Sequence, residues 1–351
     1  MNMTSRLEAL QRDLEKDSRP TVQRRPFGKR FDTDRGREAD SPEQIPPKGW
    51  MDILLRAWRE VSDQNLFLIA GGVTYAVLVS LFPALAALVA LYGLVFDASQ
   101  IDRQVGSFSG ILPPETMDLL SQQLHRLVQA SSGALGASAI LGLLLALWSA
   151  SRGMSGMITA LNIAYEEKER RGFVKLNAIA LGLTLLLLVG GVIVLALVAA
   201  LPVVVKFLAL GFATRWIVLV VEWPLLIVLV MLGLAVLYRY APDRDKPQWR
   251  WASPGAIAAT VLWVAASIGF TVYVANFNSY DKTYGSLGAV IILLTWLYLS
   301  ALVVLFGAAL NAQSERQTRK DSTVGRAQPI GERNAHAADT LGESAARRRR
   351  S

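Results

Sequence analysis

A single arginine inside a long apolar stretch is the first residue of this chain to which chemistry can be assigned. Arg152 is the one charged residue in the run 134–165. At about 100° per residue it shares a helix side with Ser155, Thr159 and Asn162. A guanidinium can bind phosphate or carboxylate bidentately. We therefore predict that Arg152 and Asn162 contact the polar group of a substrate, and pairing of Arg152 with an internal carboxylate is the open alternative.

Two other groups of residues complete the predicted site. Pro83 lies inside the first apolar run, where it should kink or interrupt a helix, and Tyr75 lies two turns earlier. Broken helices expose backbone groups that transporters use to bind polar substrates. Asp281, Tyr284 and Gly285 fall in a tight turn between the last two runs and are predicted to form an outer gate.

A second polar stripe lies on the fifth apolar run. Thr260, Ser267, Thr271 and Asn278 fall within a narrow helical sector. We expect this stripe to meet the stripe of Arg152 inside a helix bundle. Hydroxyl groups also promote close helix packing, and for Thr260, Ser267 and Thr271 packing is the favoured interpretation.

Six apolar runs carry these residues, and each is long enough to cross a bilayer core about 30 Å thick. We therefore predict an all-α, polytopic membrane protein with six transmembrane helices. The runs lie within residues 66–311, at about 66–96, 134–165, 176–205, 216–240, 253–277 and 285–311.

The positive charge is divided unequally between the two sides of these runs. Of the 36 Lys and Arg residues, 30 lie before Leu66, in 166–175, in 239–252 or after Asn311, which would all be on one side. Short loops rich in Lys and Arg remain in the cytoplasm. The predicted location is the bacterial inner (plasma) membrane, with multiple passes and both termini cytoplasmic.

The flanking segments lack long apolar runs. Residues 1–48 and 312–351 mix charge, Pro and Ser without apolar periodicity, and they are predicted to be disordered cytoplasmic tails. Residues 49–65 have the pattern of an amphipathic helix, which we predict to lie on the inner leaflet. Packing of this helix on the end of the bundle is the alternative.

Several classes of function lack sequence support. The chain has no P-loop and no catalytic motif of the hydrolase or zinc-protease type, and it contains two His and no Cys. We therefore predict no cofactor, no metal site and no enzymatic activity. The cationic loops and tails are expected to contact anionic membrane lipids rather than a specific nucleic acid.

The segment from Leu237 to Ala312 resembles the YihY/BrkB family of bacterial inner-membrane proteins. The resemblance rests on LYRYAPDR (237–244), SPGAIAA (253–259) and the stretch 273–308, which includes YDKTYG. SLFP (80–83) and LNIAYE (161–166) support it. It implies a six-helix protein with both termini inside and a role in envelope integrity. Some older members carry a ribonuclease BN label that is regarded as mistaken.

We therefore expect a non-ATP-driven transporter or flippase-like factor for an amphipathic or anionic envelope component. A structural or scaffolding protein that supports envelope integrity is the main alternative, and a membrane-associated ribonuclease is a further one. The sequence does not specify the substrate, the direction of movement or the oligomeric state.

Overall fold

The chain forms a bundle of long helices. A computed structural model describes residues 34–95, 136–207, 213–276 and 286–343. In these ranges the regular structure is helical, apart from one isolated antiparallel bridge between Pro247 and Thr323. The described α-helices are α1 Pro47–Asp63, α2 Leu66–Val95, α3 Gly136–Ala164, α4 Phe173–Phe207, α5 Ala213–Tyr240, α6 Trp249–Asn276, α7 Ser286–Glu315 and α8 His336–Asp339.

Five of these helices (α2, α3, α4, α6 and α7) are long and apolar enough to span a membrane. Within α5 the corresponding apolar stretch is shorter, Pro224–Tyr240. Five such helices make the chain a multi-pass membrane protein. The sixth crossing, which α5 would supply, stays a prediction.

The six helices α2 to α7 pack in a closed order. Each contacts the next in sequence, and α7 returns to α2. Glycines allow the closest approaches: a Cβ on Gly153 of α3 would lie 2.2 Å from Ser80 Oγ of α2, and one on Gly255 of α6 would lie 2.1 Å from the carbonyl oxygen of Gly307 on α7. Small residues of this kind let membrane helices pack tightly.

The structure corrects the expectation that the two polar stripes meet. In the described residues α3 packs against α2, α4 and α7, whereas α6 packs against α5 and α7, and α3 and α6 share no extended interface. The hydroxyls of Thr159, Thr260 and Thr271 donate to carbonyls of their own helices, one turn back. Local hydrogen bonding therefore satisfies side chains that were expected to face another stripe.

Of the two effects expected of Pro83, the interruption does not occur, and a kink stays a prediction. Helix α2 is continuous from Leu66 to Val95 with Pro83 inside it. A proline removes one helical hydrogen bond, and in membrane helices neighbouring groups and small local adjustments can compensate for that loss.

Helix α1 packs on the end of the bundle. Pro47 starts it with a favourable φ angle, and Asn65, whose φ is +53°, forms the tight corner into α2. Ile53 and Ala57 are buried, while Trp58 remains 64% exposed. Packing on the bundle is thus shown, and contact of the exposed face with the inner leaflet stays a prediction.

The end of the bundle where α2, α4 and α6 begin and α3, α5 and α7 end is called the basic end below. It carries the C-terminal segment, residues 316–343. We predicted a disordered tail from residue 312, and the structure corrects this for residues 312–343, where Gln317, Ser322 and Arg333 are buried. Arg333 explains part of the order, because its guanidinium donates to the carbonyls of Gln328, Lys320, Ala338 and Arg319.

The same correction applies to residues 34–48 of the predicted N-terminal tail. Arg37 is buried, and its side chain donates to the carbonyl oxygens of Arg316 and Gln317. Thr318 in turn donates to the carbonyl oxygen of Ala39 at 2.7 Å. The two segments order each other through polar contacts, which apolar periodicity does not reveal.

Candidate functional site

The predicted site residues occupy different environments. Arg152 lies on an exposed face of α3, with its guanidinium carbon 4.3 Å from the centre of the Trp148 ring. Tyr75 on α2 is 70% exposed. Asn162 is buried at the basic end, about 15 Å along α3 from Arg152. The structure therefore does not bring Arg152 and Asn162 together, and Asp281, Tyr284 and Gly285 lie outside the described residues.

Asn162 connects two loops at the basic end. Its amide nitrogen donates to Glu169 Oε2 at 2.9 Å, and its amide oxygen accepts from the backbone N–H of Asp243 at 2.8 Å. Glu169 also accepts from Arg171, which holds the pKa of Glu169 below its usual value. Asn162 thus positions the α3–α4 loop against the α5–α6 loop.

A buried ion pair ties the α5–α6 loop to the end of α7. Arg244 Nη2 lies 2.6 Å from Glu315 Oε2, and both side chains are fully buried. Burial alone would lower the pKa of Arg244, but the Glu315 carboxylate outweighs it and the pKa lies above its usual value. The guanidinium also lies 5.0 Å from the Tyr165 ring. Burial raises the pKa of Tyr165, so the phenol stays neutral.

Beside this ion pair is a cleft that we call the basic mouth, between the start of α4 and the end of α5. Its volume is about 520 Å³. Its charged lining residues are Arg171, Lys175, Arg239, Asp243, Arg244 and Lys246. A more open chamber of about 740 Å³ adjoins it, shares several of these residues and reaches Val324 and Asn334 of the C-terminal segment.

The cations of the basic mouth differ in how their charge is compensated. Arg171 pairs with Glu169 and lies 3.6 Å from Asp243. Lys175 and Lys246 are exposed and form no ion pair within the described residues. Positive charge is therefore available at Lys175 and Lys246.

Arg239 of α5 is a buried cation of the mouth, with 9% of its surface exposed, and it forms no ion pair within the described residues. It donates to the carbonyl oxygen of Pro247 at 2.5 Å and lies 4.5 Å from the Trp249 ring centre. Its Nε has no hydrogen-bond partner among the residues that the structure describes. An aromatic ring and one carbonyl compensate a buried guanidinium only in part.

An apolar groove of about 310 Å³ continues from the basic mouth between α4 and α5, with Met154 of α3 also in its lining. Leu183, Leu186 and Val236 line both the mouth and the groove, so the two cavities adjoin. Gly190 and Gly233 lie farther along, and a Cβ at either would meet no atom within 4 Å. The site therefore has a cationic opening and an apolar groove that is open along its side, where Leu186 and Leu187 are exposed, and this combination suits an amphipathic anion.

Comparison with known proteins identifies the family of this chain. A family model described as Virulence factor BrkB matches residues 57–330. The chain belongs to the BrkB family. The match includes every residue of the basic mouth and the apolar groove.

Two similar proteins align with most of the chain. The chain is 32% identical over 253 residues to a Bacillus subtilis (strain 168) protein with the provisional name ribonuclease-like protein YfkH, covering 68% of this chain and 86% of the relative. It is 26% identical over 275 residues to a UPF0761 membrane protein of Pseudoalteromonas translucida (strain TAC 125), covering 76% and 85%. No solved structure matches the chain.

Sequence reasoning did not assign Lys175, Arg239 or Lys246 to a site. These residues contributed to the charge count that fixed the predicted orientation, and that count was the available signal. What brings them together is the packing of α4 on α5, which the linear pattern does not contain. No cluster of His, Asp or Glu in the described ranges has an arrangement that could hold a metal ion.

Proposed function

We propose that this BrkB-family protein is a non-ATP-driven transporter or flippase-like factor for an amphipathic, anionic component of the bacterial envelope. The observation that supports it is the continuity of the basic mouth with the apolar groove between α4 and α5. An amphiphile needs both environments at once, and a soluble ion needs only the first.

The proposed orientation places the basic end in the cytoplasm. The segments before Leu66 and after Asn311, together with residues 166–175 and 239–252, hold 30 of the 36 Lys and Arg residues, and the positive-inside rule assigns such segments to the cytoplasm. Both termini are then cytoplasmic, α5 is the sixth crossing, and the exposed face of α1 with Trp58 contacts the inner leaflet. The basic mouth opens at the cytoplasmic interface.

Transport in this proposal runs passively or on a gradient, since the sequence carries no ATP-binding motif. The head group of the substrate enters at the basic mouth, and its apolar part follows the groove. Arg152, about 18 Å along α3 from the end of that helix at Ala164, is proposed to meet the polar group deeper in the membrane. Its exposed guanidinium is held by Trp148, and no carboxylate pairs with it in the described part of the chain.

The test is reconstitution of the purified protein in phospholipid vesicles that carry a fluorescent anionic lipid. Dithionite quenching of the outer leaflet measures the transfer rate. We expect the protein to raise that rate at least tenfold over empty vesicles, and Gly190→Leu to abolish the gain by filling the groove. Gly71→Leu is the matched control, because Gly71 is exposed on α2, outside the groove, and its Cβ also meets no atom within 4 Å.

Two results would contradict the proposal. Equal rates in empty and protein-containing vesicles, with folded protein present, would favour a scaffolding role. Cleavage of RNA by the purified protein across a range of divalent metals would favour the activity in the name of the Bacillus subtilis relative.

A further inference from the structure

We infer that the substrate is a phospholipid with net negative charge, bound with its phosphate at Lys175, Arg239 and Lys246 and one acyl chain between α4 and α5. This inference rests on the proposed function and names its substrate class. Three features of the site lead to it: uncompensated charge, the length of the groove and space at two glycines.

The basic mouth has more cationic than anionic side chains, which favours binding of an anion. Arg171 and Arg244 are neutralised by Glu169 and Glu315, which leaves Lys175, Arg239 and Lys246. Asp243 is engaged as well, since it accepts the backbone N–H of Arg170 at 2.6 Å. A phosphate would supply these cations with the acceptor oxygens that the protein does not.

Arg239 is the strongest indication of a missing partner. Its Nε is buried without a hydrogen-bond acceptor in the described residues, although the side chain is otherwise held by Pro247 and Trp249. Arginine is enriched at phosphate sites because its planar fork offers several donors in fixed directions. Lys175 and Lys246, which are exposed, would then complete the phosphate site from the aqueous side.

The groove matches one leaflet in length. Lys175 and Gly190 are 15 residues apart on α4, which is about 22 Å along the helix. One leaflet contributes about 15 Å of hydrocarbon, and the head group adds several ångströms. A chain that starts at the basic mouth would therefore end near Gly190 and Gly233, where the absence of side chains leaves room.

The aromatic residues at the mouth also support a position of the phosphate site at the level of the lipid head groups. Tyr240 and Trp249 pack edge to face at 6.3 Å, and the Lys246 ammonium lies 4.8 Å from the Tyr240 ring centre. Tyr and Trp are enriched at the level of lipid head groups. The phosphate site would then lie at the interface, where a lipid enters sideways from the leaflet.

The experiment measures binding separately from transport. Native mass spectrometry or microscale thermophoresis would compare phosphatidylglycerol with phosphatidylcholine, and glycerol 3-phosphate would serve as the head group without chains. We expect phosphatidylglycerol to bind at least about tenfold more tightly than phosphatidylcholine, with an affinity that falls as salt rises. Glycerol 3-phosphate should bind far more weakly than the lipid.

Charge and chain contacts are tested by different variants. The double variant Lys175→Glu/Lys246→Glu should lower phosphatidylglycerol affinity at least about tenfold and remove the preference over phosphatidylcholine. Lys168→Glu is the matched control, an exposed loop lysine that does not line the mouth or the groove. Gly190→Leu should weaken binding of the lipid and leave binding of glycerol 3-phosphate unchanged.

Failure of this inference and failure of the proposed function give different results. Equal binding of the two lipids, or equal effects of the double variant and Lys168→Glu, would overturn the inference even if transfer of lipid is observed. Glycerol 3-phosphate binding as tight as the lipid would also overturn it, because the site would then be one for a free phosphate. Selective binding without any transfer would leave the inference standing and refute the transporter.

Discussion

Removal of the Glu315 side chain should strongly destabilise the basic end. Glu315 Oε2 accepts from Arg244 Nη2 and from Ser322 Oγ, both at 2.6 Å. In Glu315→Ala the guanidinium keeps a contact of 3.3 Å from its Nε to the carbonyl oxygen of Asp245, and it stays buried. The variant therefore leaves an unpaired charge and an unpaired hydroxyl at buried positions.

The size of this effect follows from its two parts. Removing one partner of a buried ion pair costs about 3–5 kcal/mol, and a buried hydroxyl that loses its acceptor adds about 1 kcal/mol. We expect the free energy of unfolding to fall by about 5 kcal/mol. The unfolding equilibrium constant would then rise about 5,000-fold, at 1.36 kcal/mol per factor of ten.

Steric trapping in bicelles measures this equilibrium without harsh denaturants, and limited proteolysis reports opening of the C-terminal segment. The double variant Arg244→Met/Glu315→Leu should recover most of the loss, because it removes both charges. Lys320→Ala breaks the exposed pair with Asp40 and should cost no more than about 1 kcal/mol. A loss below about 1 kcal/mol for Glu315→Ala, or a double variant as unstable as the single one, would refute the reasoning.

Three further predictions concern other parts of the fold. Asn162→Ala should lower lipid transfer severalfold while the secondary structure by circular dichroism stays unchanged, because the two loops beside the basic mouth lose their link. Gly307→Ala should cost more than about 2 kcal/mol in the same trapping assay, since its Cβ would lie 2.3 Å from Tyr238 Oη, and Gly71→Ala should be neutral. Burial would raise the pKa of Asp321, but hydrogen bonds from Gln328 and Thr323 outweigh it and hold the pKa below 3.8. The stability that this carboxylate contributes is present above that value and lost as the pH falls, so the protection factors for hydrogen exchange in residues 321–343 should fall on acidification, and fall less in Asp321→Asn.

The sequence predicted the helices well because hydropathy and bilayer thickness constrain them directly. The first run was expected at about 66–96 and α2 is Leu66–Val95, and the fourth was expected at 216–240 and α5 is Ala213–Tyr240. Close packing was the favoured interpretation for Thr260, Ser267 and Thr271, and of these Thr260 is buried whereas Thr271 is exposed. These features depend on local composition and helical period, which a single sequence contains.

The basic mouth and the C-terminal segment depend on contacts between distant residues. Lys175 and Lys246 are 71 positions apart, and only the packing of α4 on α5 brings them to one cleft. Arg333 looked like part of a solvated tail because no apolar pattern surrounds it, yet its guanidinium binds four backbone carbonyls. Arginine–carbonyl networks leave no periodic signature, so the sequence pattern predicted disorder where the chain is packed.

Because the ribosome makes the chain from the N-terminus, the contacts of Arg37 with the C-terminal segment can form only late in synthesis. Its guanidinium donates to the carbonyl oxygen of Gly342, which is 305 positions later. Residues 34–46 therefore lack these C-terminal partners until every membrane helix has been synthesised and inserted. Closure of the basic end is then a late step of biogenesis, and a chain that stalls before residue 316 would expose buried arginines to cellular proteases.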